Sequence, residues 1–498
     1  MKTEHEDSYA HILKYTGIFG GVQGLNILIS LVRNKIVAYL LGPDGMGLMS
    51  LFNTTISFIS QSTSFGISFS AVRHVSELFD QGDEARIAHF VKVVRAWCLL
   101  SALIGMLVCI LAGPFLSAYT FSWGDHTLHF VLLAPAVALT AIAGGEMAIL
   151  KGLRELKSLA VIQIYSVFAA LLISAPLFYF FGQTAIVPVI VSMALVTLLL
   201  TITHSYRLYP LRLRGATGIF GEGMEMVRLG IAFVLAGILG SGAEMLVRSY
   251  LNVVGGLDIV GLYNVGFVMT MTYGGMVFSA METDFFPRLS AVNGNVVLAN
   301  QTVNRQIEVS VLIVGPMLVV MLFFIPLMIP VLFTRDFMPV VDMMRFTTLA
   351  LYLRAMKLPV CYMPLARGDG KSYLLIEGIY DVEMVLLIVL CYQQWGVTGT
   401  GIALLIAAVA EFVLVNVFTC FKYHYRPTRS VFLYGGSHIA IGIAAFVLAV
   451  TLQGWAYWAT GVATTALSLW FSVSVLRKKT SLWAKLVQNM KQRVGIRS

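Results

Sequence analysis

Long apolar runs alternate with short polar gaps along almost the whole sequence. About fourteen runs reach the roughly 20 residues that a helix needs to cross the hydrocarbon core of a membrane. In lipid only helices and closed barrels satisfy every backbone polar group, and these runs are far too long for barrel strands. The pattern predicts an all-α polytopic membrane protein with about 14 transmembrane helices. The predicted spans are 15–41, 46–71, 94–117, 128–150, 158–181, 184–205, 228–254, 259–285, 309–333, 342–366, 373–392, 398–421, 433–452 and 455–476.

The basic residues fall almost entirely in alternate gaps between these runs. With the N-terminus placed inside, 27 of the 34 Lys and Arg residues lie in inside gaps or tails, whereas only Arg335 and Arg345 lie in outside gaps. Such an excess of Lys and Arg is typical of cytoplasmic loops. We therefore expect a multi-pass protein with both termini in the cytoplasm. The net charge of +9 then reflects this topology and attraction to anionic lipids, with no nucleic acid as a partner.

No gap is long enough to hold a soluble catalytic domain, because the largest are about 72–93, 206–227 and 286–308. The five cysteines lie in or beside spans without a CxxC pair, so they are interpreted as packing residues that form neither disulfides nor a metal site. No nucleotide-binding or hydrolase motif is present. The sequence therefore predicts no catalytic residue, no metal and no cofactor.

An internal repeat is visible at an offset of 214 residues, and the same offset maps span 1 onto span 7, span 2 onto span 8 and span 5 onto span 11. The matching pairs are Gly42 and Gly256, Asp44 and Asp258, Gly47 and Gly261, Leu48 and Leu262, Lys157 and Lys371, and Ser158 and Ser372. Two six-helix lobes of equal orientation, with a site between them near the midplane, are expected. The predicted division is an N-lobe at 1–214, a C-lobe at 215–430, two further spans at 431–476, and a cytoplasmic amphipathic tail at 477–498.

Five basic residues lie within spans, where a charged side chain is costly and usually faces a cavity or a partner. Arg33 is predicted to line a cavity. Lys35 lies about 200° further around the same helix, nearer its outer end, so it is expected to extend towards the interface. Arg354 and Lys357 are three residues apart on one face of span 10, and no acid in that span neutralises them. They are the strongest candidates for an anion-binding surface.

Arg248 has two open interpretations. Glu244 precedes it by four residues, in the order that favours an intrahelical ion pair. The 214-residue offset also makes Arg248 the counterpart of Asn34, the residue after Arg33, which favours a shared substrate pathway. Both interpretations stay open, and Arg248 is retained as a candidate substrate-binding residue with Arg33, Arg354 and Lys357.

Several acids also lie within spans, including Glu146 and Glu411. Glu377 and Asp381 are like charges one helical turn apart, which disfavours ionisation of both. Either they pair with Arg354 or Lys357, or one of them carries a proton. The candidates for ion coupling are Glu244, Glu377, Asp381 and Glu383.

The segment Leu31–Glu77, LVRNKIVAYLLGPDGMGLMSLFNTTISFISQSTSFGISFSAVRHVSE, resembles the N-terminal signature of bacterial O-antigen and polysaccharide flippases of the Wzx type. These belong to the multidrug/oligosaccharidyl-lipid/polysaccharide exporter superfamily. Elsewhere the likeness lies in the number of spans, the loop lengths and the two-lobe repeat. Fourteen spans rather than twelve also resembles the lipid II flippase branch.

The resemblance implies a MATE-like, V-shaped bundle in the bacterial inner membrane, with basic residues in its cavity. It also implies that the protein flips an undecaprenyl-diphosphate-linked oligosaccharide to the outer leaflet, for O-antigen (lipopolysaccharide), capsule or exopolysaccharide assembly. Arg33 matches a basic position of relatives in span 1, and Arg248 is similar to one in span 7. Membrane lipids, and the polymerase and chain-length proteins of the same pathway, are the implied partners. The alternatives are a drug/cation antiporter of the same superfamily, a lipid II flippase, or a membrane-embedded polysaccharide polymerase.

Overall fold

The computed structural model describes residues 2–121, 124–211 and 218–479. Fourteen α-helices are formed in this part of the chain, joined by two 3₁₀ turns at Gly182–Ala185 and Arg335–Val340 and by a π-helix at Val268–Gly274. The helices are α1 Lys2–Thr63, α2 Ile67–Gln81, α3 Glu84–Thr120, α4 Thr127–Gly152, α5 Leu156–Phe181, α6 Ile186–Leu208, α7 Ile219–Gly255, α8 Leu257–Phe267, α9 Met276–Ala291, α10 Val296–Leu332, α11 Val341–Ala366, α12 Gly370–Tyr423, α13 Arg429–Thr451 and α14 Gly454–Lys479.

The all-α prediction is confirmed, because every regular element in the described ranges is helical. Eight helical segments are long and apolar enough to cross a membrane, and three of them, Gly24–Thr63, Lys157–Leu208 and Gly370–Tyr423, each contain two predicted spans. Spans 7, 8 and 10 are also helical; the π-helix Val268–Gly274 divides span 8 into α8 and α9, and Arg354 and Lys357 make span 10 more polar. The predicted amphipathic tail at 477–498 lies almost wholly outside the described residues. The predicted inside gap 72–93 is largely helical, since α2 and the first turns of α3 occupy it.

The chain folds into two compact units. The N-unit is Met1–Asn264 with Pro330–Asp336, and the C-unit is Val265–Ile329 with Phe337–Ser498. The boundary falls inside α8, fifty residues after the end of the predicted N-lobe at 214. The compact units and the predicted repeat lobes are thus different divisions of the chain, and the lobe boundaries stay a prediction.

The backbone repeats itself at the predicted offset of 214 residues. Gly42 interrupts α1 with φ 65° and ψ −172°, and its counterpart Gly256 has φ 102° and ψ 175° between α7 and α8. Gly182 and Gly396 match still more closely, at φ 55°, ψ −135° and φ 56°, ψ −139°. Positive φ is readily adopted by glycine, so these residues fix where each helix pair breaks. Arg154 and Gly368 also share positive φ at this offset, 57° and 71°.

The start of α5 and the start of α12 are built alike. Glu155 precedes α5 and accepts a hydrogen bond from the Ser158 hydroxyl at 3.3 Å, and its counterpart Asp369 accepts from the Ser372 hydroxyl at 2.8 Å. Asp369 also pairs with Lys422 at 2.7 Å, and this contact holds the pKa of the Asp369 carboxyl well below its usual range. The recurring Lys-Ser dipeptide therefore marks two helix starts that an acid precedes, and Asp369 also caps its helix by accepting from the Ser372 backbone N–H at 3.1 Å.

Residues related by the offset meet inside the N-unit. A side chain at Gly47 would lie closer than 3.0 Å to the carbonyl of Leu257, and one at Gly261 would meet Pro43 in the same way. Leu257 is the counterpart of Pro43, and Gly261 is the counterpart of Gly47, so the two contacts are equivalent under the repeat. The Ser50 hydroxyl also lies 2.9 Å from the Oδ1 atom of its own counterpart, Asn264. Such reciprocal contacts are the signature of two-fold symmetry, so a local pseudo-two-fold axis passes here.

Gly47→Ala is expected to destabilise the protein, because its methyl group would overlap a backbone carbonyl that cannot rotate away. Overpacking of this kind costs about 1–3 kcal/mol or more. Gly24→Ala in the same helix is the matched control, since nothing lies within 4 Å of the added atom. Thermal unfolding of the detergent-solubilised protein measures both variants. Equal unfolding temperatures for the two would contradict the close approach of α1 and α8.

Candidate functional site

A cavity of about 350 Å³ lies within the C-unit and brings together four charged residues from its spans. Helix α11 contributes residues one or two turns apart on one face, and each half of α12 contributes another face. The charged lining residues are Arg354 and Lys357 from α11, and Glu377 and Glu411 from α12. The other lining residues include Tyr362, Tyr373, Tyr380, Met271 and Phe278. The cavity therefore combines two cations, two carboxylates and aromatic walls.

Lys357 is neutralised by Glu411. The Nζ atom of Lys357 forms an ion pair with the Glu411 carboxylate, and the side chains are only 14% and 3% exposed. Lys357 also lies 5.0 Å from the centre of the Tyr380 ring. The sequence placed Glu411 in a span but assigned it no role, and the two residues are 54 positions apart. A buried acid requires a partner, and this was the one signal from which the pair could have been inferred.

Arg354 is the cation of this cavity that no described carboxylate neutralises within 4.0 Å. Its Nη1 atom donates to the carbonyl of Met271 at 3.4 Å, and its guanidinium lies 5.8 Å from the centre of the Phe278 ring. Met271 lies in the π-helix Val268–Gly274. Wide turns of this kind leave carbonyls available and are frequent at functional sites. The side chain is half-buried, so a large part of the guanidinium fork faces the cavity.

The acids predicted for ion coupling are dispersed. Glu377 lines the C-unit cavity and has no ion pair within 4.0 Å among the described residues. Asp381, one turn later, is 8% exposed, and Glu383 is half-buried; neither is a lining residue of the cavity. Glu244 belongs to the N-unit. A role in ion coupling remains a prediction for all four.

A second cavity, of about 530 Å³, lies within the N-unit. Its only charged lining residue is Arg33, whose Nε donates to the Ser174 hydroxyl at 3.4 Å. The remaining polar lining residues are Asn53, Ser57, Thr140 and Thr197. Met49, Ile56, Val189, Ile190 and Met193 supply apolar surface. Among the described lining residues this cavity therefore has a single charge, that of Arg33, and it is rich in groups that both donate and accept hydrogen bonds.

The two cavities occupy equivalent places in the repeat. Adding 214 to the N-unit lining residues gives the lining residues of the C-unit at seven positions. The pairs are Ser57 and Met271, Ala136 and Ala350, Thr140 and Arg354, Ala143 and Lys357, Ile190 and Leu404, Ala194 and Ala408, and Thr197 and Glu411. At three of these seven positions the C-unit has a charged residue and the N-unit has none: Arg354 corresponds to Thr140, Lys357 to Ala143 and Glu411 to Thr197. Equivalent backbone positions therefore present charged side chains in the C-unit cavity and uncharged ones in the N-unit cavity.

Arg248 lies at the pseudo-two-fold contact and is not a lining residue of either cavity. Its side chain is 4% exposed and pairs with Glu244 at 3.2 Å, while the Glu244 side chain is 42% exposed. Its Nε donates to the Ser50 hydroxyl at 2.9 Å, and its Nη2 lies 3.4 Å from Oδ1 of Asn264. The geometry shows the intrahelical pair together with contacts that hold α1 and α8. Its suggested role in substrate binding stays a prediction.

Two further basic residues differ from their sequence interpretation. Lys35 donates to the carbonyls of Pro330, at 2.8 Å, and Phe333, so it caps the end of α10; its expected extension towards the membrane interface stays a prediction. Arg95 was counted in an inside gap but is 7% exposed within α3. It binds Glu146 through Nε and Nη2 at 2.7 and 3.1 Å. The unpaired acid in span 4 was the available signal for this pair.

The comparison with family models places most of the chain in one family. Residues 36–342, more than half of the 498 residues, match the model described as "Polysaccharide biosynthesis protein". The chain belongs to this family. No curated protein matches the chain significantly in sequence.

Solved structures show which fold this polysaccharide biosynthesis protein has. It is similar to an inward-facing multidrug resistance MATE family transporter of the MOP superfamily, with TM-score 0.65 and 17% identity over 84% of this chain and 96% of that one. It is also similar to the lipid II flippase MurJ in an inward closed conformation, with TM-score 0.61 and 13% identity over 93% and 99%. A MOP superfamily transporter from Pyrococcus furiosus matches with TM-score 0.57 and 15% identity over 82% and 94%.

The fold is therefore that of the MOP superfamily transporters, and the family match adds polysaccharide biosynthesis. Together they confirm the resemblance to Wzx-type flippases of that superfamily. The protein is a multi-pass membrane protein with a transporter or flippase fold. The matched folds are those of transporters and flippases, which are not enzymes.

Proposed function

We propose that this protein is a flippase for a polyprenyl-diphosphate-linked oligosaccharide. It moves the lipid by alternating access from the inner to the outer leaflet of a bacterial inner membrane, for O-antigen, capsule or exopolysaccharide assembly. Both termini lie in the cytoplasm. The observation that carries the proposal is the state of Arg354, which lines the C-unit cavity and has no described carboxylate within 4.0 Å.

Arg354 has the geometry that a diphosphate requires. Guanidinium presents a planar fork of donors that binds two phosphate oxygens at once, and such charge-assisted hydrogen bonds are roughly twice as strong as neutral ones. Lys357 lies one turn away on the same face, but Glu411 already offsets its charge. Lys357 therefore adds no net positive charge to the cavity, and Arg354 makes the principal contact with the diphosphate.

Translocation of this kind requires no covalent step. The diphosphate must leave water during crossing, so the cavity has to replace its hydration with fixed donors. The polyprenyl tail stays in lipid throughout, since it is as apolar as the bilayer. The named residues therefore act by binding and releasing the substrate. Lipids, and the polymerase and chain-length proteins of the same pathway, are the partners that this function implies.

A second candidate function is supported by one observation in the same cavity. Glu377 is a lining carboxylate with no described ion pair, and carboxylates in a cavity are what a drug or cation antiporter of the superfamily needs. The family match to polysaccharide biosynthesis favours the flippase.

Reconstituted protein separates the two candidates. Proteoliposomes containing the purified protein and the host's own lipid-linked oligosaccharide are treated with a membrane-impermeant glycosidase after flipping has started. We expect the protein to bring the protected inner-leaflet fraction into reach of the enzyme, whereas protein-free vesicles show no change. Vesicles loaded with a proton gradient and ethidium test cation exchange in parallel. Ethidium transport without movement of the lipid-linked oligosaccharide would refute the proposed function.

A further inference from the structure

We propose that the N-unit cavity is a binding site for the neutral sugar chain of the substrate, while the charged C-unit cavity takes its diphosphate. The inference rests on the proposed function and assigns separate parts of one substrate to the two cavities. It concerns the polar residues Asn53, Ser57, Thr140 and Thr197, to which the sequence assigned no role.

Among the described hydroxyls of α1, four bond to the helix itself, Ser50 contacts Asn264, and the buried Ser60 has no described partner. Thr54, Thr55, Ser62 and Thr63 each donate to a backbone carbonyl one turn earlier, at 2.8–3.0 Å, which is the ordinary way for a membrane helix to satisfy a hydroxyl. Ser57 makes no such bond in the described structure. Asn53, one turn before it, makes no described side-chain hydrogen bond either. Both are exposed on the helix face that lines the cavity.

Thr140 of α4 and Thr197 of α6 complete this surface. Both line the cavity, and neither side chain makes a hydrogen bond to another described residue. A polar group that faced hydrocarbon without a partner would cost several kcal/mol. Four such groups converging on one cavity are therefore placed to meet water or a polar ligand.

The chemistry of the surface matches carbohydrate hydroxyls. Side-chain amides and hydroxyls both donate and accept hydrogen bonds, as sugar hydroxyls do. The apolar side chains of Met49, Ile56 and Met193 offer surface to the C–H faces of pyranose rings. No carboxylate or amine lines the cavity, and Arg33 is its single charge. The volume of about 530 Å³ falls in the usual range of ligand pockets, roughly 300–1,000 Å³.

The repeat supplies the independent argument. Positions that are Arg354, Lys357 and Glu411 in the C-unit are Thr140, Ala143 and Thr197 in the N-unit. At these equivalent positions, the C-unit cavity has charged groups that suit an anion, whereas the N-unit cavity has uncharged groups that suit a neutral polar ligand. A lipid-linked oligosaccharide contains both chemistries in one molecule.

The test compares two lipids in proteoliposomes. One is the host's own lipid-linked oligosaccharide, and the other is the same lipid trimmed enzymatically to its first sugar. The double variant Asn53→Leu, Thr140→Val should lower the initial rate for the full oligosaccharide about tenfold, since it loses at least two hydrogen bonds to the sugar. Its rate for the trimmed lipid should stay within about twofold of wild type. The matched control, Ser62→Ala with Thr203→Val, alters hydroxyls outside the cavity and should leave both rates unchanged.

Binding of the free glycan keeps this inference separable from the proposed function. Saturation-transfer NMR with the oligosaccharide released from its lipid should show contact with wild type and with Arg354→Gln, and loss of contact with the double variant. If wild type moves neither lipid but this binding pattern holds, the proposed function fails and the sugar site stands. Equal loss of rate for both lipids, no loss for either, or glycan contact unchanged in the double variant would overturn the sugar site.

Discussion

Arg354→Gln is expected to lower glycan export at least about 100-fold while the protein still reaches the membrane in normal amounts. The glutamine keeps a polar side chain but loses two charge-assisted hydrogen bonds to the diphosphate, together worth about 3 kcal/mol. The loss of stability should be small, because Arg354 makes a single described hydrogen bond, to the carbonyl of Met271. Surface glycan in a strain that lacks the native gene, divided by the amount of membrane-inserted protein, measures the effect.

Two further variants test whether the effect of Arg354→Gln is specific to the guanidinium of this residue. Arg354→Lys keeps the charge but not the planar fork, so an intermediate rate, about tenfold below wild type, indicates that bidentate binding matters. Arg335→Gln removes an exposed arginine that lines neither cavity and should export normally. Wild-type export by Arg354→Gln would remove this residue from the substrate pathway.

Glu411→Gln is expected to destabilise the C-unit by about 3–5 kcal/mol, because it leaves the Lys357 charge without its buried partner. The carboxylate is 3% exposed, so water cannot replace it. Size-exclusion analysis of heated, detergent-solubilised protein measures the fall in unfolding temperature. Glu377→Gln is the matched control in the same cavity: this carboxylate has no described ion pair within 4.0 Å, and its loss should matter much less.

The double variant Lys357→Met, Glu411→Gln tests whether the instability of Glu411→Gln comes from the unpaired charge of Lys357. Removing both charges also removes the uncompensated one, so the unfolding temperature should return close to that of wild type. Export should recover as well, because Glu411 already neutralises Lys357 and the cavity loses no net charge. An unfolding temperature of Glu411→Gln equal to wild type would show that the pair contributes little to stability.

The helical fold was predictable because membrane spans depend on local composition. Apolar runs and the alternation of basic residues gave the helix positions to within a few residues at most ends. The repeat offset was also accessible, since Gly42 and Gly47 occupy backbone positions that only glycine suits and so persisted as identities. Charge-rich spans were the weaker part, and α11 illustrates this: Arg354 and Lys357 make it too polar for a composition test alone.

The partners of the charged residues were not predictable, because they depend on how distant helices pack. Lys357 meets Glu411 only because the second half of α12 returns against α11 after the break at Gly396. Arg95 was counted with the basic residues of the inside gap although it lies at the edge of predicted span 94–117, and α3, which begins at Glu84, buries it. The N-unit cavity left no signal beyond Arg33, since isolated Asn, Ser and Thr residues in spans usually satisfy themselves locally.

The agreement of Gly182 and Gly396 to within a few degrees has a practical consequence. Each of the seven shared lining positions of one cavity has a counterpart 214 residues away in the other cavity. The counterpart shows which different side chain occupies the equivalent place on a similar backbone. Thr140 serves in this way for Arg354, and Thr197 for Glu411. Experiments that exchange these pairs can therefore separate what the scaffold provides from what the side chain adds, without recourse to a second protein.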